Sequence, residues 1–196
     1  MTLRGDSNER LTILSDAEKT ALYGIPSFDD FQRIEFFAMT EAERSLALQR
    51  RGILKQVYCM LQIGYFKAKQ AFFQFSLDDV PPEDVTFLMQ RYFPGETLVV
   101  KPMSTKEYYA QRQEISALFE YRLWTANDLP VLRDKAKLLV RTDVTATFLL
   151  AELMVFLMAQ RIVRPGYSTL QTIIRDALSA ERDRLEKLGP VNTISV

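Results

Sequence analysis

The stretch ILKQVYCMLQIGYFKAKQ, Ile53 to Gln70, carries apolar residues at Leu54, Val57, Tyr58, Leu61 and Tyr65. That three-and-four spacing lines one face of an α-helix and is incompatible with the alternation of a half-buried strand. An amphipathic helix is therefore predicted over 53–70. The same periodicity, followed outward, predicts helices at about Asp16 to Tyr23, Phe28 to Ala38, Glu41 to Arg51, Glu83 to Tyr92, Thr105 to Arg122, Asp128 to Val140, Asp143 to Val163 and Thr169 to Leu188.

Four helix starts are signalled by a capping box, in which a Ser or Thr oxygen accepts from a backbone N–H three residues on and a Glu or Gln reaches back. These are Ser15 with Glu18, Thr40 with Glu43, Ser104 with Glu107 and Ser168 with Gln171. Seven Gly and eight Pro are few for 196 residues, and Leu, Ala, Glu, Gln, Lys and Arg fill the runs between them. The fold class is thus all-α, a multi-helix bundle of about nine helices. Thr145 to Gln160, TATFLLAELMVFLMAQ, is the longest apolar stretch; it is too short for the ~20 residues of a bilayer span and is expected to be the central core helix.

The segment Phe93 to Met103, FPGETLVVKPM, is weakly helical and predicts an extended linker. The expected organisation is a frayed N-terminus over 1–10, a first helical lobe over 11–95, a linker over 96–103, a second lobe over 104–188 and a tail over 189–196.

With no histidine and one cysteine, Cys59, the chain has almost no transition-metal ligands, no internal disulfide and no histidine-based nucleophile pair. Neither a cofactor nor a metal is expected, and Cys59, within an apolar helical run, is expected to be a buried inert thiol. The carboxylate pairs Asp29-Asp30, Asp78-Asp79 and Glu83-Asp84 stand at predicted helix starts, where the helix dipole favours negative charge, and are read as caps rather than magnesium ligands. The polar opening MTLRGDSNER is no secretory signal, so a cytoplasmic location is expected.

Net charge is zero, from 25 basic and 25 acidic residues, but it is segregated. Ser45 to Leu77 holds five cations (Arg50, Arg51, Lys55, Lys67, Lys69) and no carboxylate, whereas Met1 to Arg44 holds nine carboxylates against five cations. The basic run is interleaved with Tyr58, Tyr65, Phe66, Phe72, Phe73 and Phe75. A DNA-facing helix needs such a mixture, with cations for phosphates and an apolar back for docking; a buried aromatic core with solvated charges has the same composition. A second basic cluster is Arg133, Lys135, Lys137 and Arg141. A third, Arg161 and Arg164, precedes a Pro-Gly turn into the last helix, an arrangement compatible with a helix-turn-helix.

Four blocks, LTILSDAEKTALYGIP, LQRRGILKQVYCMLQIGYFKAKQAFFQFSLDDVPPEDVTFLMQRYFPG, MSTKEYYAQRQEISALFEYRLW and AQRIVRPGYSTLQTIIRDALSAERDRL, together resemble the N-terminal region of transposases of the Tn-three family, the replicative, cointegrate-forming bacterial transposons. LQIGYFKAK and the block running from RQEI to YR carry the resemblance most specifically. It implies binding to the double-stranded terminal inverted repeats of a transposon, with the rest of the transposase or other transposase subunits as protein partners and no membrane or small-molecule substrate. It also implies that the family's C-terminal acidic triad, which cleaves and transfers strands on magnesium, lies outside this chain, so that the chain is no enzyme by itself. On this reading Arg50, Arg51, Lys55, Lys67 and Lys69 contact phosphates, with Arg112, Arg122, Arg161 and Arg164 as further candidates; Gln56 and Gln62 read adenines if their helix enters a major groove. The competing reading is a helical protein-interaction module of the transposition machinery.

Overall fold

The computed structural model describes residues 11–99 and 104–188, so the expectations for 1–10 and 189–196, and for 100–103 of the linker, lie outside the described residues. Among the described residues there are nine α-helices: α1 (Asp16–Tyr23), α2 (Asp30–Phe37), α3 (Glu41–Leu48), α4 (Ile53–Lys69), α5 (Pro82–Tyr92), α6 (Thr105–Leu118), α7 (Leu129–Leu139), α8 (Ala146–Ala159) and α9 (Tyr167–Leu188). The all-α expectation holds. Besides two short 3-10 turns, the extended pairing among the described residues is an isolated parallel bridge between Arg122 and Ile162.

The capping boxes at Ser15/Glu18 and Thr40/Glu43 form as read, and Ser104 caps α6 by accepting from Glu107 N, its hydroxyl donating to the Glu107 carboxylate. Ser168 does not cap, because α9 begins one residue before it at Tyr167. The Tyr167 hydroxyl instead accepts from the backbone N–H groups of Ile13 and Leu14, both at 3.3 Å. α2 has a box that the sequence reading lacked, with Asp29 accepting from Gln32 N and Gln32 reaching back to Asp29 N.

The chain divides into two compact units, of which the larger is the described part of Thr20–Trp124 together with Met158–Arg164. α4 is its axis, with α2, α3, α5 and α6 packed against it. Every residue of α4 from Val57 to Phe66 is buried, which makes α4, and not the 145–160 stretch, the central core helix. Gly64 permits this: a Cβ there would lie 2.2 Å from Cε1 of the fully buried Phe37, so only glycine lets α2 approach so closely. α4 ends where Gln70 adopts φ 47°, its N–H bonded to Phe66 O at 2.8 Å. The following residues run extended along α4, alternately burying Phe73, exposing Gln74 and burying Phe75. Tyr58 OH donates to Phe75 O at 2.5 Å and Gln62 Nε2 to Phe73 O at 2.6 Å, which gives two buried polar side chains of α4 their partners.

The lobe boundary expected at 96–103 does not separate the units. α6, assigned by sequence to the second lobe, belongs to the larger unit, where Ile115 is fully buried in the same core as α4 and the ion pairs Lys55–Glu107 and Arg50–Glu114 join α4 and its N-terminal turn to α6.

The smaller unit holds residues 11–19, Thr125–Leu157 and 165–188. α7 packs on α9, burying Leu132, Ala136 and Leu139 from the first and Leu170, Ile173, Ile174 and Ala177 from the second. α8 buries Leu149, Leu150, Leu153 and Leu157 along one side only, and Val155 on the other side is 53% exposed. An α-helix apolar all round gives no periodic signal, so its sequence could not say which side is left uncovered.

Candidate nucleic-acid interface

Arg50, Lys55, Lys67 and Lys69, though adjacent in sequence to an aromatic run, spend their charges inside the larger unit. The Lys67 ammonium donates to Ala38 O at 2.9 Å and lies 3.5 Å from Glu43 Oε2; Ala38 is the C-cap of α2. The Lys69 ammonium donates to Ala21 O at 2.6 Å and Gly24 O at 2.9 Å, and Arg164 Nη2 donates to Leu22 O, so these two cations satisfy the carbonyls left open at the C-terminus of α1. Cations at helix C-termini also oppose the negative end of the macrodipole. Burial pulls the Lys69 ammonium below its ordinary range, with the Arg164 charge adding to the effect, and burial likewise lowers Arg164 against a raising effect of Tyr23. Arg50 pairs with Glu114 and Lys55 with Glu107. Of the five expected phosphate contacts, Arg51 alone stands exposed without a hydrogen bond or ion pair to the described residues.

The base-reading expectation is corrected in the same way. Gln62 is fully buried and Gln56 donates to the carbonyls of Leu48 and Arg50, so α4 presents neither glutamine to a groove. The helix-turn-helix is corrected as well: Arg122 N–H donates to Arg161 O and Val163 N–H to Arg122 O, both at 2.9 Å. Residues between α8 and α9 are thereby held in an extended pairing with 122, not in a tight helical turn.

That pairing brings together two cations from distant parts of the chain. Arg122 and Arg161 are exposed and sit across the bridge from one another. The Arg161 guanidinium lies 5.4 Å from the Tyr121 ring centroid, and from there a run of rings continues: Tyr121 meets Phe66 edge-on at 5.4 Å and Phe66 stacks on Phe72 at 4.9 Å. The Arg112 guanidinium closes the run, 5.2 Å from Phe72, 5.4 Å from Tyr108 and 5.6 Å from Tyr109. A guanidinium lying against a ring is held in a fixed plane, from which an exposed arginine can engage a phosphate. Arg161 is exposed, whereas Arg112 is half-buried with its Nε enclosed. The rings of Phe72, Tyr109 and Tyr121 were not singled out as a set by sequence; the one local signal is the Tyr108-Tyr109 pair one helical turn before Arg112.

The carboxylate pairs divide. Asp29 caps α2, and Asp79 accepts from Ser76 N and Oγ, as their positions implied. Asp84 is no cap: it is fully buried and accepts from Arg33 Nε and Tyr65 OH, both at 2.9 Å. No group of three or more metal-ligating side chains occurs among the described residues.

An all-helical domain with a cation-and-ring surface on its larger unit is what fold and geometry define. Residues 13–177 match the family described as a domain of unknown function, DUF4158, and the chain belongs to that family. No curated protein matches it. No helix among the described residues is long and apolar enough to cross a membrane.

Proposed function

We propose that this chain binds double-stranded DNA at transposon terminal inverted repeats, as the end-recognising region of a Tn-three family transposase, through Arg112, Arg122, Arg161 and Arg51 and without chemistry of its own. The observation that carries the reading is the pairing of Arg122 with Arg161 at the end of the ring run that leads to Arg112. The likeness of LQIGYFKAK and the 112–122 block to the transposase region supports it, since Phe66 of the first and Arg112, Tyr121 and Arg122 of the second belong to this run of rings and cations. With zero net charge, attraction to DNA must come from such a local set of cations.

The test is a mobility-shift titration of the element's inverted repeat against a scrambled duplex at several salt concentrations. Replacing Arg122 and Arg161 together by alanine should flatten the slope of log affinity against log salt by about two, at ~0.9 per phosphate contact. Unchanged affinity and slope in that variant, with helicity intact, would remove this surface from consideration. A second reading, a protein-interaction module, is favoured by apolar side chains left in solvent on helices of both units, among them Phe31 at 85% and Leu138 at 62% exposure.

A further inference from the structure

Two helices expose apolar side chains within charge of opposite sign. On α2 the outward residues are Phe31, Ile34 (54% exposed) and Glu35, bordered by the exposed Asp29 and Asp30. The one cation of α2, Arg33, is turned inward onto Asp84 and Asp30, so its charge is already balanced. An open groove of about 330 Å³ beside it is lined by Asp30, Arg33, Glu83, Thr86 and Phe87, which adds the exposed carboxylate of Glu83, while the Arg33 charge there is the one already paired with Asp84 and Asp30. On α7 the outward residues are Val131 (56% exposed) and Leu138, with Arg133 and Lys137 exposed and Arg141 following the helix. Asp134 is the one carboxylate of α7 and pairs with Lys137 at 3.0 Å, while the Arg141 charge helps to lower the pKa of Glu181 on α9.

We infer that the acidic, apolar face of α2 docks on the basic, apolar face of α7 of a second copy of this chain. The occupant is a second copy because this chain itself carries both complementary surfaces, each pairing an apolar couple one or two helical turns apart with an excess of one charge. Like charges would repel two α2 faces or two α7 faces, so the contact joins unlike surfaces. Each contact therefore uses one α2 face of one copy and one α7 face of another. A contact of one helix face each falls short of the ~800 Å² per partner of a standard interface, so association is weak in solution. Copies held side by side on neighbouring DNA sites would meet at far higher effective concentration.

The test is sedimentation velocity of the full chain without DNA, so its outcome is separate from that of the DNA reading. The chain should self-associate reversibly at high concentration, on the order of 0.1 mM, at least tenfold more weakly when salt rises from about 0.05 M to about 0.5 M. Phe31→Ser with Glu35→Lys, and separately Lys137→Glu with Leu138→Ser, should each yield monomers. An equimolar mixture of these two variants should form dimers and stop there, because one intact α7 face then meets one intact α2 face. The single reversals Glu35→Lys and Lys137→Glu should each weaken association and restore it when combined in one chain, which decides the matter if a double variant fails to fold. A wild type monomeric under all these conditions, association indifferent to salt, a variant that associates alone as the wild type does, or a mixture that stays monomeric would each overturn the inference.

Discussion

Arg33 Nε donates to Asp84 Oδ1 at 2.9 Å across the core of the larger unit, and the other oxygen of Asp84 accepts from Tyr65 at the same distance. Arg33 directs two further N–H groups to Asp30 Oδ1 at 2.6 Å and Phe28 O at 2.8 Å. Burial pushes the Asp84 carboxyl up, against the lowering effect of Arg33 and Tyr65. For Arg33 burial acts downward, but Asp84 and Asp30 together outweigh it and leave it raised. The guanidinium stays charged throughout, so the change of protonation in this pair belongs to Asp84.

Removing one member of such a pair leaves an uncompensated buried charge. Asp84→Leu or Arg33→Met alone should therefore cost about 3–5 kcal/mol in a urea titration, and the two together should cost clearly less than their sum. Additive losses would show that the two side chains do not act as a pair.

The ammonium groups of Lys67 and Lys69 close the C-termini of α2 and α1 rather than facing solvent. Lys67→Met and Lys69→Met should each lower stability by about 1–2 kcal/mol and leave DNA affinity within about twofold of wild type. The opposite pattern, full stability with a flattened salt slope, would return these lysines to the DNA surface.

The Cys59 thiol is fully buried, and burial pushes its pKa from 9.0 up to about 11, against the lowering effect of Arg50. The folded state thus holds the proton more tightly than the unfolded state does. The resulting stability is complete below pH 9, the unfolded value, and is lost as pH rises toward 11. Across that window the wild type should lose about 2 kcal/mol relative to Cys59→Ala. At neutral pH an aromatic disulfide reagent should label Cys59 only at the rate at which the chain opens; fast labelling of the native protein would contradict its burial.

Gly64→Ala should destabilise, although alanine is otherwise the better helix former by about 0.5–1 kcal/mol. The added Cβ would meet Cε1 and Cδ1 of Phe37 at 2.2 and 2.3 Å, and that ring is wedged between Phe28 at 5.5 Å and Tyr65 at 5.9 Å. Overpacking of this kind costs about 1–3 kcal/mol. Thermal unfolding that shifts upward in Gly64→Ala would mean that α2 and α4 are not packed this closely.

Helices and most of their caps were legible in the chain because both are local: the spacing of Leu54, Val57, Tyr58 and Leu61, or a Thr40 followed by Glu43, needs only neighbours within two turns. Ser168 misled because its box depends on where the helix begins, and Tyr167, tied to Ile13 and Leu14, starts it one residue earlier.

What the sequence determined by itself, then, is an all-helical chain with segregated charge, no histidine and a single thiol, since composition and periodicity carry that information without reference to distant residues. Tertiary structure decided what each cation meets. Lys67 and Lys69 are consumed by carbonyls 29 to 48 residues away, and Arg122 meets Arg161 through a bridge whose two sides are far apart in sequence. It also decided which apolar helix is enclosed, α4 on every side and α8 on one. A side chain's partner is set by the packing of whole helices, and a charge or a methyl group reads the same in sequence whether that packing covers it or leaves it in water.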